Sequence, residues 1–317
     1  MRVLTKGKDI SQLVLELKWA GDTKQVARTL RFTVARNGQD PAFPSVPIQE
    51  GDEVFLLEQK KILFGGIVFE IQKKSGTNSV SYLAYDLMFY INQSDINDNY
   101  QGLPEEIVPK ICEKLEIPYG KMAATGIPVT MTFLGKRAYA AIMMAYTAAA
   151  RQNGKKYMPL MMENQLCVIE KGTLSGVTIA GSYNLLSASY QSSLQKLVNR
   201  VLLLDPNNNP IKTIEDAESI KRYGVVQRVL KQGENEDKTI EAEKLLKRTE
   251  QTASVSGIPS DPRAISGYSL LLRDPETGLS GQFYIESDTH SYKNGISQMD
   301  LTLSFELLMD EHNPEGE

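Results

Sequence analysis

SVSYLAYDLMFYINQS, residues 79–94, carries two kinds of periodicity in one short run. Its first half alternates, so successive side chains point to opposite faces of a strand. Its second half sets Leu87, Met88, Phe89 and Ile91 in a spacing that no longer alternates, and it stops in Asn92-Gln93-Ser94. A sheet turns here into a short apolar segment, with Tyr85-Asp86 at the joint. An aspartate at a strand end commonly caps the next turn or helix through its carboxylate. Asp86 is therefore expected to be the N-cap of a segment 87–91 whose apolar residues plug the end of a small β-barrel. Tyr85 and Asp86 read as a structural joint; the alternative is a catalytic acid beside an aromatic ring.

Upstream of the joint, residues 10–94 read as all-β. Leu13, Leu15, Leu17 and Trp19 share one face of a period-2 pattern, and Leu30, Phe32 and Val34 share another, with Gly21–Lys24 as the turn between them. Gly65-Gly66 sits inside a long strand from about 62 to 73, as glycines do at a bulge or barrel corner. Downstream the character changes. Leu103, Ile107, Ile111 and Leu115 recur every four residues, which predicts an amphipathic helix; Pro104 suits its first turn and Pro109 should kink or split it. A second helix covers 137–153 and ends at Asn153-Gly154. Two strands then flank a turn at Glu163-Asn164. Residues from 190 onward return to strands around Gly224, interrupted by a helix at 237–251.

The chain thus reads as mainly β with an α+β insert: a first β-barrel domain at 1–94, an insert at 95–180, a second β-barrel domain at 181–308 and a flexible tail at 309–317. No sequence repeat relates the two β segments.

Composition excludes several functions. The 317 residues are 41% hydrophobic and 23% charged, with a formal net charge of −4. A general nucleic-acid binder would need a Lys/Arg surplus to neutralise phosphates. The 2 cysteines, Cys112 and Cys167, are too few for a disulfide scaffold and suit a reducing cytosol. The N-terminus has no apolar signal region, and no apolar run reaches the roughly 18 residues of a membrane span. Only 2 histidines exist, and GxSxG, HExxH, GxGxxG and P-loop motifs are missing. No enzyme and no cofactor is expected. One polar cluster stands out: in FYIESDTHSYKNG, residues 283–295, a flat strand would put Glu286, Asp288 and His290 on one face. Neighbours on that face are about 7 Å apart, so only two of the three would reach one metal ion. A polar subunit-interface face is the preferred reading; plain surface and a metal site are the alternatives.

ILFGGIVFEIQKK at 62–74, YLAYDLMFYINQS at 82–94, RYGVVQRV at 222–229 and GQFYIESDTHSYKNGISQMDLTLSFEL at 281–307 together resemble the baseplate hub proteins of contractile phage tails. The likeness is to the PBSX-prophage type, kin to the hubs of R-type bacteriocins. It implies two tail-tube-like barrels per chain and a homotrimer whose six barrels form a pseudo-sixfold ring. Such a ring would join the sixfold tail tube to a threefold central spike, with baseplate wedge and tape-measure proteins as further partners. It also implies synthesis in the bacterial cytoplasm and a place in a phage or phage-tail-like particle. A fused lysozyme or peptidase is not expected after 308. Two other functions compete: a glycan- or receptor-binding tail protein, and a cell-wall-degrading enzyme using Glu286, Asp288 or Glu163.

Overall fold

A computed structural model of the chain describes residues 1–37, 40, 42–181, 183–234 and 236–313. It is mainly β, and among the described residues no helix is long and apolar enough to cross a membrane. The chain divides into a larger unit, residues 1–188 with 254 onward, and a smaller unit, residues 189–253.

The larger unit begins with β1 (Arg2–Thr5), β2 (Lys8–Asp9), β3 (Val14–Asp22), β4 (Gln25–Ala35), β5 (Glu53–Glu58), β6 (Lys61–Lys73) and β7 (Ser79–Asp86). They are hydrogen-bonded in the order β3-β4-β7-β6-β5-β1-β2. Alternation puts Leu17, Trp19, Leu30, Phe32, Val34, Leu56, Val68 and Tyr82 into one core. Leu15 departs from the expected face. The register slips between Val14 and Glu16, so Leu15 is the bulged residue and lies 49% exposed. Gly65 and Gly66 are required by close approach. A Cβ on Gly65 would stand 2.4 Å from the Asn164 side chain, and one on Gly66 would stand 2.3 Å from the Tyr85 carbonyl oxygen. Backbone cannot yield as a side-chain tip does. Gly66→Ala should therefore lower stability by about 1–3 kcal/mol, read as the midpoint of urea unfolding; an unchanged midpoint would refute the close approach.

The insert follows: α1 (Met88–Gln93), β8 (Asp95–Gly102), α2 (Pro104–Lys114), β9 (Tyr119–Met122), β10 (Val129–Arg137), α3 (Ala138–Asn153), β11 (Tyr157–Met162) and β12 (Gln165–Glu170). β8 pairs with β10, and β11, β12 and β9 form a second small sheet. The helices pack between them around Ile107, Ile111, Phe133, Ile142 and Tyr146, all buried. α2 runs through Pro109 as one helix. Its buried face, Ile107, Val108, Ile111 and Cys112, stabilises it on both sides of that proline. α3 ends as expected at Gly154, φ +72°, whose N–H bonds the Ala150 carbonyl at 2.8 Å. Met88 and Ile91 of α1 belong to this core, which Val26 and Ala27 of β4 also join, so the segment after the joint packs between the first sheet and the insert.

β13 (Leu174–Ala180), β14 (Ser187–Ser193), β18 (Glu250–Pro259), β19 (Ser269–Asp274), β20 (Leu279–Lys293) and β21 (Ile296–Ser304) form the second β segment, which therefore begins at 174 and not at 181. The smaller unit takes in most of β14 and the start of β18 and holds, between them in the chain, β15 (Arg200–Leu204), β16 (Pro210–Glu215), α4 (Ala217–Tyr223), β17 (Gln227–Lys231) and α5 (Thr239–Leu245). Here the sequence reading misses a helix and overextends another. α4 starts at Asp216, whose carboxylate accepts the Ser219 N–H at 3.0 Å, and ends at Gly224. The helix expected at 237–251 stops at Leu245; Ala242 is its buried residue, and Ile240 is 69% exposed. The residues after it turn back into β18.

The second segment repeats the pairing path of the first. In chain order, β13, β14, β18, β19, β20 and β21 take the places of β1, β3, β4, β5, β6 and β7, and every neighbour relation is the same. Registers coincide too. Glu53 faces Ile67 and Val54 faces Gly66, as Ser269 faces Tyr284 and Leu270 faces Phe283. Both long strands slip register at the equivalent residue, Phe69 in β6 and Glu286 in β20. Gly51 and Gly267 sit at φ +90° and +95°, each donating its N–H across the turn, to Val68 and to Ile285 respectively. The exception is β13, which pairs parallel to β19 where β1 is antiparallel to β5.

The two modules share one sheet. Along its second half β20 lies beside β3, from Ser287 opposite Asp22 to Lys293 opposite Glu16. Among the described residues the pairings leave this sheet open at β2 and β14, so they close neither module into a barrel. The tail expected to be flexible from 309 is tied down as far as 312. Asp310 accepts the Tyr139 hydroxyl at 2.9 Å, and the His312 N–H bonds Thr147 Oγ1 at 3.2 Å. Residues 314–317 lie outside the described residues.

Candidate functional site

The junction of the two modules is the site that the sheet builds. β20 contributes Asp288 and His290, β3 contributes Trp19 and Gly21, β4 contributes Arg28, and the loop after β18 contributes Ser260 and Ser266. Asp288 is 1% exposed and Arg28 6%. The guanidinium grips the carboxylate with two hydrogen bonds, Nη1 to Oδ1 at 3.0 Å and Nη2 to Oδ2, and the Ser266 N–H donates to Oδ1 at 2.6 Å. Burial alone would push the Asp288 carboxyl up. The Arg28 charge, the His290 hydrogen bond and the Arg28 hydrogen bonds outweigh that and hold it well below the usual range, at about 2. The Arg28 guanidinium also lies over the Trp19 ring, 4.4 Å from its centroid, and the His290 ring packs on the same indole at 4.9 Å.

His290 is 2% exposed. Its Nε2 faces two acceptors, the Ala264 carbonyl at 3.2 Å and Asp288 Oδ2 at 3.4 Å, so this nitrogen carries a proton. Nδ1 lies 2.8 Å from Ser260 Oγ. Serine, histidine and aspartate thus stand in the order of a hydrolytic triad. The roles do not follow: the imidazole is enclosed, and the carboxylate that would orient it is committed to Arg28. What this arrangement does chemically is fasten three segments of chain that lie far apart in sequence.

The face expected from Glu286, Asp288 and His290 is therefore corrected. The bulge at Glu286 reverses the alternation of β20, so Asp288 and His290 point inward and Glu286 points out. Glu286 lies 3.9 Å from Lys24, and its charge also acts on Lys171. Two of the three residues come together and the third does not, and the pair forms no exposed face. Glu163 stands elsewhere, at the exposed turn between β11 and β12, 3.6 Å from Lys61. Sequence reasoning missed Arg28. The signal was present: positions 28, 30, 32 and 34 share the inward face of one alternating strand, and a cation there requires a buried partner.

The joint at Tyr85 and Asp86 behaves as a joint, with the cap displaced by one residue. Leu87 is the N-cap of α1, and Asp86 precedes it, accepting the Met88 N–H at 3.1 Å and the Arg28 N–H at 3.2 Å. Asp86 is 1% exposed, and burial pushes its carboxyl up to about 7, against those two donors and the Arg28 charge. A carboxyl that holds its proton more tightly when folded favours the folded state at low pH. That contribution falls as pH rises from about 4 to about 7. Asp86→Asn should flatten the loss of stability across this window in pH-resolved thermal melts; a variant that keeps the wild-type slope contradicts the assignment. The Tyr85 ring packs with Phe69 and Phe89 at 5.4 and 5.2 Å, and Tyr90 lies 5.9 Å from Phe89.

Comparison with known proteins agrees with this architecture. A family model described as YQBQ-like matches residues 17–304. The PBSX phage-like element protein XkdQ of Bacillus subtilis is 23% identical over 311 residues, 93% of this chain and 92% of that one. Among solved structures, the 43 kDa tail protein of prophage MuSo2 from Shewanella oneidensis superposes with a TM-score of 0.69 at 14% identity, covering 96% of this chain and 97% of that one. The Escherichia coli c3393 protein, described as a type VI secretion component with structural similarity to the T4 tail proteins gp27 and gp5, has a TM-score of 0.54 at 10% identity and covers 99% of this chain and 78% of that one. The fold is that of prophage tail proteins.

Proposed function

The chain belongs to the YQBQ-like family, and from that premise we propose that it is the structural hub of a contractile-tail baseplate. Three copies form a ring of six modules that joins the sixfold tail tube to the threefold central spike. The carrying observation is the repeat of one pairing path within one chain, β1 to β7 and β13 to β21. Closed symmetry is built from repeated interfaces. A chain that holds the same module twice can present six like docking surfaces from three copies, and still leave a threefold arrangement for whatever its unrepeated parts contact. The insert and the smaller unit are those unrepeated parts.

Tube, spike, wedge and tape-measure proteins are the proposed partners, and the particle is the proposed location. The role proposed is non-enzymatic, and what supports it is that the Ser–His–Asp arrangement seen among the described residues is enclosed and held by Arg28. Particles carrying an epitope-tagged copy should bind label where the tube meets the baseplate, and the ring released from them should weigh three times the 35.3 kDa of the chain. Label along the tube or on fibres, or a ring that is no multiple of three, overturns the proposal.

A further inference from the structure

We infer that Leu134 of one copy seats in an apolar cleft of the next, so that one knob-and-socket contact repeats around the ring. The inference rests on the ring reading above and supplies a contact for it.

The socket lies within the larger unit. The β5–β6 turn, the β11–β12 turn, the start of β13 and the loop before β19 enclose a cleft of about 470 Å³. Trp19, Ile62, Met162, Leu174, Ile265 and Tyr268 line it. Leu174 is 48% exposed, so the apolar wall reaches the surface. The Tyr268 hydroxyl is turned to the Met162 sulfur, 3.7 Å away. A concave site of this size and lining takes an apolar group. The charges about it are nearly all paired. Lys61 lies 3.6 Å from Glu163 and Arg263 lies 2.6 Å from Asp261, while Glu58 makes no ion pair among the described residues.

The knob is on β10. Val129, Met131 and Phe133 point inward, and Thr130 and Thr132 point out and are exposed. Leu134 takes the next outward place, where the alternation calls for a polar residue. Phe133 faces Asp98 and Lys136 faces Ile96, so Leu134 and Gly135 together oppose Asn97. Gly135, at φ +61°, makes this bulge possible. Bulges re-aim side chains, and this one holds Leu134 out at 74% exposure. A lone exposed leucine is ordinary; a leucine held out on a bulge, with a matching socket elsewhere on the same unit, is not. Beside it Arg137 lies 3.4 Å from Asp95, and Lys136 makes no ion pair among the described residues.

Knob and socket cannot meet within one chain. Phe133 from one small sheet and Tyr157 and Met161 from the other pack into the insert core, with the helices between them. Leu134 points away from that layer on one side. Met162 points away on the other, where it packs against the core of the first module. A knob and a socket on opposite sides of one unit make a heterologous contact, and heterologous contacts close into a ring when the rotation allows. The second copy also fits in charge: the unpaired base lies beside the knob and the unpaired acid beside the socket.

The test uses the full chain. Leu134 is exposed, so Leu134→Asp leaves the fold intact. By sedimentation, the concentration needed for half-assembly of the trimer should rise at least about tenfold in this variant, the effect of no longer burying a leucine. Glu58→Lys and Lys136→Glu should each weaken the trimer and together restore it; a combined variant weaker than either overturns this seating. Chains carrying Leu134→Cys and chains carrying Leu174→Cys should form linked pairs on mild oxidation when mixed and not when kept apart, since the native Cys112 and Cys167 are buried. Linking of like with like overturns the knob-and-socket contact. A Leu134→Asp chain that forms trimers as readily as wild type overturns the contact and leaves the ring reading standing. A wild-type chain that stays monomeric at every concentration overturns the ring reading and the contact with it.

Discussion

Arg28→Met is expected to lower the stability of the larger unit by about 3–5 kcal/mol, the usual cost of leaving one partner of a buried ion pair without the other. For a unit of this size that corresponds to a fall in melting temperature on the order of 10 °C. The magnitude follows from burial: Asp288 is 1% exposed and cannot turn to water when its cation is removed. The acid limb should change as well. In the native protein Asp288 sits at about 2, below the ordinary aspartate value of 3.8. A carboxyl depressed in the folded state contributes stability that is present above pH 4 and lost as pH falls towards 2. Arg28→Met should remove most of that loss, and adding Asp288→Leu should recover much of the stability, because a well-packed apolar pair commonly replaces a buried ion pair without cost. A melting temperature for Arg28→Met within a degree or two of wild type would show that the pair is not what fastens the modules.

The second large effect is expected at a residue with no side chain. Gly21 lies opposite Asp288 across the β3–β20 ladder, and a Cβ placed on it would stand 2.5 Å from the Arg28 guanidinium carbon and 2.9 Å from Ser266 Oγ. Gly21→Ala should displace the guanidinium from the carboxylate and cost about 3 kcal/mol, most of what removal of Arg28 costs. Its signature is the same weakened acid limb. Gly21→Ala in an Arg28→Met background should then add little, since the two changes act on one contact. Additive losses in this double-mutant cycle would mean that the glycine matters for another reason.

The legible part of the fold was local. Alternation located β3, β4, β6 and β7, four-residue spacing located α2, and the Asn153-Gly154 signal located the end of α3, because each depends on residues a few positions apart. The errors at Leu15 and Glu286 share one cause. A single bulged residue reverses which side of a strand faces inward, and the slip shows only against the partner strand. At 237–251 the sequence favours a helix, but the chain leaves it after Leu245 to become a neighbour of β14 and β21. The helix at 217–223 was readable from Asp216 and Gly224 and was passed over for the strand pattern around it.

From its order of residues alone, this chain determined a mainly-β fold with an α+β insert, a capping aspartate at the joint, and a strand carrying Asp288 and His290. Only the tertiary structure decided that Asp288 faces Arg28, 260 positions away in the chain, and that the two β segments are the same module built twice. Period and capping are written within a few residues of one another, whereas pairing partners and registers are set by where distant strands come to lie. Two sequences with no visible likeness can share one pairing path, because the path asks of each strand only an alternating face and a turn of the right length.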